Sequence, residues 1–532
     1  MDKIKKFAKE FRLEITFFLV VFIMLFIGAG SFPFLDPDSY QWLEKSFEIV
    51  RKGNWLTHSQ WFGKPPLIIW LTALSAKIFG ISLFSLKVMN LLISWFSVLF
   101  VYLLAKEVFG GKTALWSAII YAVSPSFAFL KFSHKMDVPV VLFMTAALYF
   151  FYVYKRTGKP SNIYFFWTSC FAGFMVKSAY SFYPVFLIPT AAVLSKDQEI
   201  LKTIKQHTLH HVLAIMTMLL IIAPWYIGQF LTHGTKFVKF QYVEHLGRFF
   251  FKSGALGARD NNVHAYPINT ILVMLPWSVF IGPALTTAWK KIKGSFDFQL
   301  LFWWFLPPLI AFSLSGELKV VRYLMFIFPA LSMLIASYFE NMEETKKLKL
   351  WLASASAVLL GLAVTAIVLT SRSADAFTRE LVPFVGPFLM IFFLGMVAFS
   401  AFFYLKGKKA LSFLVLTTST ALIVLVTMAF SYLPIFYPRM IAGKELAKRI
   451  TMNKPVFVMD MEFKDYIYIK NRLVLIEDIG IDNVKPGDYV ASSSEYSVVS
   501  EKLGKKVSLI FAKDVKYKSG RATLPYRLFR VK

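Results

Sequence analysis

The chain has 532 residues, 57% of them hydrophobic and 17% aromatic, with a formal charge of +28 and a mean hydropathy of +0.57. Soluble domains run at roughly 45–50% apolar residues, so this composition excludes an ordinary soluble protein and predicts an α-helical polytopic membrane protein. The basic excess would suggest nucleic acid in a soluble chain, but in a membrane chain Lys and Arg collect in cytoplasmic loops, and no nucleic-acid partner is expected.

The opening Lys3, Lys5, Lys6, Lys9 and Arg12 precede an apolar segment in the manner of a signal peptide. No convincing small-residue cleavage site follows, so the segment reads as a retained signal anchor. A bilayer core takes about 20 apolar residues as helix. On that measure about thirteen transmembrane helices are expected. They fall at approximately 14–33, 83–105, 113–131, 137–154, 162–178, 180–195, 210–230, 267–288, 298–315, 321–338, 349–370, 382–405 and 411–433. With a cytoplasmic N-terminus, the first inner loops carry Lys106 and Lys112, then Lys155, Arg156 and Lys159, then Lys196, Lys202 and Lys205. Those that follow carry Lys290, Lys291 and Lys293, then Lys346, Lys347 and Lys349, then Lys406, Lys408 and Lys409. Every inner loop is basic, as the positive-inside rule requires. The single cysteine, Cys170, lies in an apolar run, which excludes an intrachain disulfide and a cysteine-rich metal site.

The unusual residues fall on the outer side. Residues 34–82 form a long loop, within which Tyr40–Val50 reads as a surface-lying helix that alternates Trp42, Phe47, Ile49 and Val50 with Glu44, Lys45 and Glu48. A short turn runs from Lys131 to Asp137, and a second long loop, 231–266, holds Glu244, His245, Arg248, Arg259, Asp260 and His264. Another short turn, Ser315–Lys319, leads to Arg322 and Tyr323. Residues 434–532 are charged, with β-like runs at Val456–Met459, Arg472–Ile476, Val507–Phe511 and Arg527–Val531 and helical pieces at Gly443–Met452 and Ser494–Leu503. The plan is a transmembrane part, 1–433, with outer loops 34–82 and 231–266, and a small extracytoplasmic α/β domain, 434–532.

This topology brings charges from distant parts of the chain to one membrane face. Carboxylates Asp36, Asp38 and Asp137 meet cations Lys64, Lys177, Arg248 and Arg322 there. Asp before an amphipathic run is also ordinary helix capping, and a lone Lys177 at a span end is also an ordinary snorkelling lysine. Several cations near acids between apolar helices suit a phosphate attached to an apolar tail. Arg pairs phosphate oxygens in a fork and Lys adds a point charge, while a nearby carboxylate can take a proton from an acceptor. Gly110-Gly111-Lys112 lacks the upstream glycine and the strand–helix context of a nucleotide loop. The energy should therefore come from an activated lipid donor. His207, His210 and His211 fall on the inner side as interfacial residues, and Trp61, Trp70, Trp225 and Trp277 read as interfacial anchors.

In these motifs the chain resembles the C-type superfamily of polytopic, lipid-phosphate-sugar-dependent glycosyltransferases, in its aminoarabinose transferase and protein mannosyltransferase-like group. The resemblance covers about the first 340 residues. It rests on Asp38 ahead of Gly53-Asn54-Trp55, on Phe62-Gly63-Lys64-Pro65-Pro66-Leu67, on Asp137 and on Lys177. It continues in Ala223-Pro224-Trp225-Tyr226, Glu244-His245-Leu246-Gly247-Arg248-Phe249, His264 with Pro267 and Leu275-Pro276-Trp277, and Arg322-Tyr323-Leu324 with Phe328-Pro329-Ala330-Leu331. It implies that Asp38 is the catalytic carboxylate, with Asp137 the second acidic position. Asp36 is a rival for the catalytic role, because Asp36-Pro37-Asp38 is similar to the acidic motif of oligosaccharyltransferase subunits. It further implies that Lys64, Lys177, Arg248, Arg322 and Tyr323 hold the donor phosphate. His264, with Glu244 and His245 in the same loop, would contact the acceptor or a weakly held divalent cation.

Two departures stand out: the family's acidic residue after Asp38 is Ser39 here, and the Glu of its Phe-Glu-Lys-Pro motif is Gly63. Tight zinc binding takes at least three protein ligands, so no metal or other cofactor is expected to be required. The reading is an inverting transferase of the plasma (inner) membrane that moves a sugar from a polyprenyl-phosphate donor to an envelope acceptor (lipid A, protein or glycan) on the outer face. The alternative is a transporter or flippase of lipid-linked sugars, which would leave the sugar bond intact and would show paired hydrophobic halves.

Overall fold

The computed structural model describes most of residues 11–341 and 439–532, with internal gaps at 57–63, 125–133 and 243–261 and shorter ones elsewhere. The spans expected at 349–370, 382–405 and 411–433 lie outside the described residues, apart from isolated positions. The chain opens with α1 (Arg12–Phe26), α2 (Pro37–Lys52), α3 (Leu67–Phe79), α4 (Leu83–Phe109), α5 (Gly111–Ala122) and α6 (Asp137–Thr157). There follow α7 (Ser161–Phe174), α8 (Tyr183–Ser195), α9 (Gln198–Gln206), α10 (Thr208–His233), α11 (Thr235–Tyr242), α12 (Ala265–Val273), α13 (Ile281–Lys291), α14 (Phe296–Leu314) and α15 (Phe328–Glu340).

Among the described residues, α4, α6, α10, α14 and Arg322–Glu340 are long and apolar enough to cross a bilayer. They coincide with five expected spans and make this a multi-pass membrane protein. Other spans differ from expectation. The one expected at 267–288 is broken, with α12 and the Trp277–Lys291 stretch inclined at 114°. Those at 162–178 and 180–195 are α7 and α8, of 14 and 13 residues, separated by a 3₁₀ turn at Ala179–Phe182. Helix α3 lies within the expected outer loop 34–82, because its 13 mostly apolar residues fall short of a span.

Local sequence explains the helix ends. Ser82 and Ser85 cap the start of α4 reciprocally, which satisfies free backbone donors. Helix α6 has Asp137 in its first turn and Lys155 and Arg156 in its last, matching the helix dipole. It stops at Gly158, whose φ of +65° is cheap only for glycine. Helices α6 and α15 are largely buried in the bundle, whereas α10 presents nearly all its apolar flank outward.

The C-terminal part contains a five-stranded mixed sheet of order β2-β1-β3-β5-β4. Strands β1 (Val456–Met459), β2 (Leu473–Leu475) and β3 (Tyr489–Ser492) are parallel, while β4 (Val507–Lys516) and β5 (Thr523–Val531) join antiparallel. The sequence reading missed β3, a four-residue run whose Ala and Ser carry little strand signal. Residues 439–447 are helical, and α16 covers Tyr496–Leu503. One face of this sheet packs on α2, where Tyr40, Leu43 and Phe47 share a buried cluster with Leu446, Val458, Tyr466 and Leu528. The helix expected to lie on the membrane surface is thus clasped between bundle and sheet. Its Ile49 points to the bundle core instead.

Candidate active site

The centre forms where α6 begins. Asp137 is its first residue and only 5% exposed. Lys177 Nζ hydrogen-bonds Asp137 Oδ1, and Arg322 Nε lies 3.7 Å from Asp137 Oδ2. This arrangement fixes both cations against Asp137, and removing one partner of such a buried pair is strongly destabilising. The Lys177 ammonium also sits 4.6 Å above the Tyr323 ring and 5.9 Å from that of Tyr180. The Arg322 guanidinium is 5.4 Å from Tyr323. Such cation–π contacts steady cations where water is scarce.

Lys177 is placed by a break in the helix, just past the end of α7 rather than within it. The last turn closes with Lys177 N–H donating to Gly173 O at 3.3 Å. At Gly173 the chain crosses the following 3₁₀ turn so closely that a Cβ would lie 2.9 Å from Ser181 Cβ and Oγ. Lys64 is brought alongside by a backbone bond from Leu67 N–H to Met175 O at 3.0 Å. It is 9% exposed and close enough to Lys177 for their charges to repel. Two cations thus flank one carboxylate, with Lys64 close to Lys177, an arrangement able to attract an anion. Low dielectric strengthens that attraction.

The expected catalytic carboxylate, Asp38, lies in the first turn of α2. Its neighbour Ser39 is fully buried and bonded to His134, three residues before Asp137. Asp36, Glu244, His245 and Arg248 lie outside the described residues. His264 is exposed, just ahead of α12. That helix is tied to the Arg322 turn by Tyr266, whose hydroxyl accepts Val320 N–H at 3.3 Å. Among the described residues no three His, Cys, Asp or Glu side chains come together in a way that could hold a metal ion.

Sequence reasoning did not single out Tyr180, Tyr266 or His134. Only contact in space distinguishes these residues from ordinary packing. Two expected interfacial tryptophans are core residues instead: Trp225 and Trp277 are 1% and 0% exposed. Trp70 is half-buried and donates to Trp55 O at 2.7 Å, and Trp61 lies outside the described residues. At the far end of the bundle, Tyr154, Tyr164 and Trp167 hydrogen-bond His207, His210 and His211 respectively.

Comparison with known proteins agrees with the resemblance read from the motifs. Residues 63–227 match the family of dolichyl-phosphate-mannose-protein mannosyltransferases. An undecaprenyl phosphate-alpha-4-amino-4-deoxy-L-arabinose arabinosyl transferase of Pectobacterium carotovorum is 28% identical over 376 residues, covering 67% of this chain and 65% of the relative. A Proteus mirabilis transferase of the same description is 28% identical over 64% of this chain and 62% of its own. The chain therefore spans just under two thirds of the length of these relatives. Among solved structures, ArnT from Cupriavidus metallidurans bound to undecaprenyl phosphate superposes with a TM-score of 0.72 at 15% identity, covering 98% of both chains. The chain has the ArnT-like fold, and its relatives are glycosyltransferases of the aminoarabinose transferase and protein mannosyltransferase-like group.

Proposed function

We propose that the chain is an inverting glycosyltransferase that moves a sugar from a polyprenyl-phosphate donor to an envelope acceptor (lipid A, protein or glycan) at the outer face of the plasma (inner) membrane. The observation that carries this reading is the pairing of Lys177 and Arg322 with buried Asp137, with Lys64 close to Lys177, beside Tyr323 and between apolar helices. The transferase relatives, and the undecaprenyl phosphate named with the ArnT structure, support the donor class.

In this proposal Lys64, Lys177, Arg248, Arg322 and Tyr323 hold the donor phosphate, and Asp137 keeps Lys177 and Arg322 in place. Asp38, with Asp36 as its rival, orients the acceptor and takes its proton. The acceptor attacks the anomeric carbon from the side opposite the phosphate. As the new glycosidic bond forms, the bond from the anomeric carbon to the phosphate oxygen breaks, and its electron pair leaves with the lipid phosphate. The cations already in position stabilise that developing charge without reorganising, which is where such a site gains its rate. His264, Glu244 and His245 serve as contacts to the acceptor or to a weakly held divalent cation. The full architecture we infer has about thirteen spans within 1–433, a cytoplasmic N-terminus, and residues 434–532 with the site on the extracytoplasmic side.

The test is transfer from a synthetic undecaprenyl-phosphate sugar by the full chain in vesicles. Asp38→Asn is expected to abolish transfer while the protein stays folded and inserted; retained activity would remove Asp38 from the mechanism. Lys177→Ala is expected to weaken donor use, and an unchanged donor dependence would reject its phosphate role.

A further inference from the structure

Helix α6 carries Asp137 at one end and Tyr154 near the other, roughly 26 Å away at 1.5 Å per residue. At that far end α6, α7, α8, α9 and α10 enclose a cavity with about 530 Å³ of free space, part of it open to the surroundings. Its walls are almost wholly apolar, built from Phe166, Trp167, Val185, Ile188 and Pro189 among others. Pro189 helps to loosen the wall, since it has no N–H to offer the Val185 carbonyl four residues earlier.

One polar atom in this lining is unsatisfied. Trp167 Nε1–H donates to His211 Nδ1 at 3.0 Å. Indole nitrogen is only ever a donor, so His211 Nδ1 must accept, and the neutral ring carries its proton on Nε2. That Nε2 is buried and has no hydrogen-bond partner among the described residues. The other polar groups of the lining are occupied: Tyr154 by Thr203 O and His207, and Asn162 by Thr157 and Lys159 O. A buried water needs two to four polar partners, so a single N–H in an apolar slot is a poor water site. It suits a long apolar chain that carries an acceptor oxygen.

The surrounding charge selects the rest of that ligand. Lys159, on the turn after α6, and Lys202 and Lys205, on α9, are exposed beside the cavity. The nearby acids are partly committed, with Glu107 paired to Arg156 at 2.9 Å and Asp197 capping Ile200 N–H at 3.0 Å, which leaves Glu199. We propose that this cavity binds an anionic glycerophospholipid of the leaflet opposite the Asp137 centre. One acyl chain fills the slot, an ester or phosphate oxygen accepts from His211 Nε2–H, and the head group faces Lys159, Lys202 and Lys205. This site does not depend on the transferase reading.

The experiment is native mass spectrometry and thermal unfolding of the delipidated full chain in mild detergent. Phosphatidylglycerol, phosphatidylethanolamine and undecaprenyl phosphate are added separately. Phosphatidylglycerol is expected to be retained at one molecule per chain, to raise the unfolding temperature, and to bind at least tenfold more tightly than phosphatidylethanolamine. His211→Phe, which removes the donor, and Ile188→Trp, which fills the slot, are each expected to weaken retention at least tenfold. Should one variant not fold, the other decides. Equal retention of the two phospholipids, unchanged retention in the folded variants, or equally tight binding of undecaprenyl phosphate at this slot would overturn the assignment.

Discussion

Ser39 and His134, 95 residues apart in the chain, bond each other twice. Ser39 Oγ accepts the His134 N–H at 2.6 Å and donates to His134 O at 3.4 Å. Asp38 stands one residue before this contact and Asp137 three residues after it, so one hydroxyl ties together the two acidic positions. Ser39→Ala is expected to lower kcat about tenfold or more, because small displacements at a reacting centre are costly. The donor KM should barely move, and Ser39→Thr should recover part of the rate. Steady-state kinetics in vesicles decide the matter; a KM effect alone would contradict it.

The Lys177–Asp137 pair gives a second prediction. Both side chains are nearly buried, at 11% and 5% exposure. Lys177→Ala leaves a buried carboxylate with only the more distant Arg322, and should cost about 3–5 kcal/mol of stability. The double variant Lys177→Ala, Asp137→Asn should recover much of that loss. Thermal unfolding of the four proteins yields the coupling, and additive effects would count against a shared charge balance.

Gly173 tests how Lys177 is placed. A Cβ there meets Ser181 at 2.9 Å. Gly173→Ala should therefore destabilise by about 1–3 kcal/mol, and adding Ser181→Gly should relieve most of the strain. An unfolding temperature unchanged in Gly173→Ala would show that the crossing can open freely.

The sheet offers a pH test. Asp460 has φ of +56° at the end of β1, a conformation that Asp and Asn tolerate better than most residues. Partial burial alone would raise its pKa, but hydrogen bonds from Lys502 and Ser494, together with the Lys502 charge, hold the carboxyl below its usual range. A lowered folded-state pKa gives stability that is present above the unfolded value and lost as pH falls through the folded one. Asp460→Asn should reduce hydrogen-exchange protection in α16 at neutral pH, by about 1 kcal/mol at most. The difference should vanish below the lowered pKa.

The acids and cations were legible because charge is rare in apolar sequence, and Asp137, Lys177 and Arg322 could be matched to one end of the bundle by counting spans. Five long helices were legible for the same reason. Helix α3 was not, since a mostly apolar run of 13 residues is too short to register as a span. Neither was the burial of Trp225 and Trp277, because an interfacial and a packed tryptophan look alike in sequence. The Ser39 bond was hidden as well, for periodicity carries no information about a partner 95 residues away. The clasp of α2 by the sheet joins residues still farther apart.

That last separation bears on how the chain is made. Phe47 and Tyr466 face each other with ring centroids 6.2 Å apart, although roughly 400 residues lie between them. At about 5–20 residues per second, the ribosome needs roughly 20–80 s to supply the cover for a helix it finished early. Throughout that interval Tyr40, Leu43 and Phe47 lack their C-terminal partners. Chains cut short before the sheet would thus emerge with the Asp38 helix bare, greasy on one side, and open to capture by quality-control proteases.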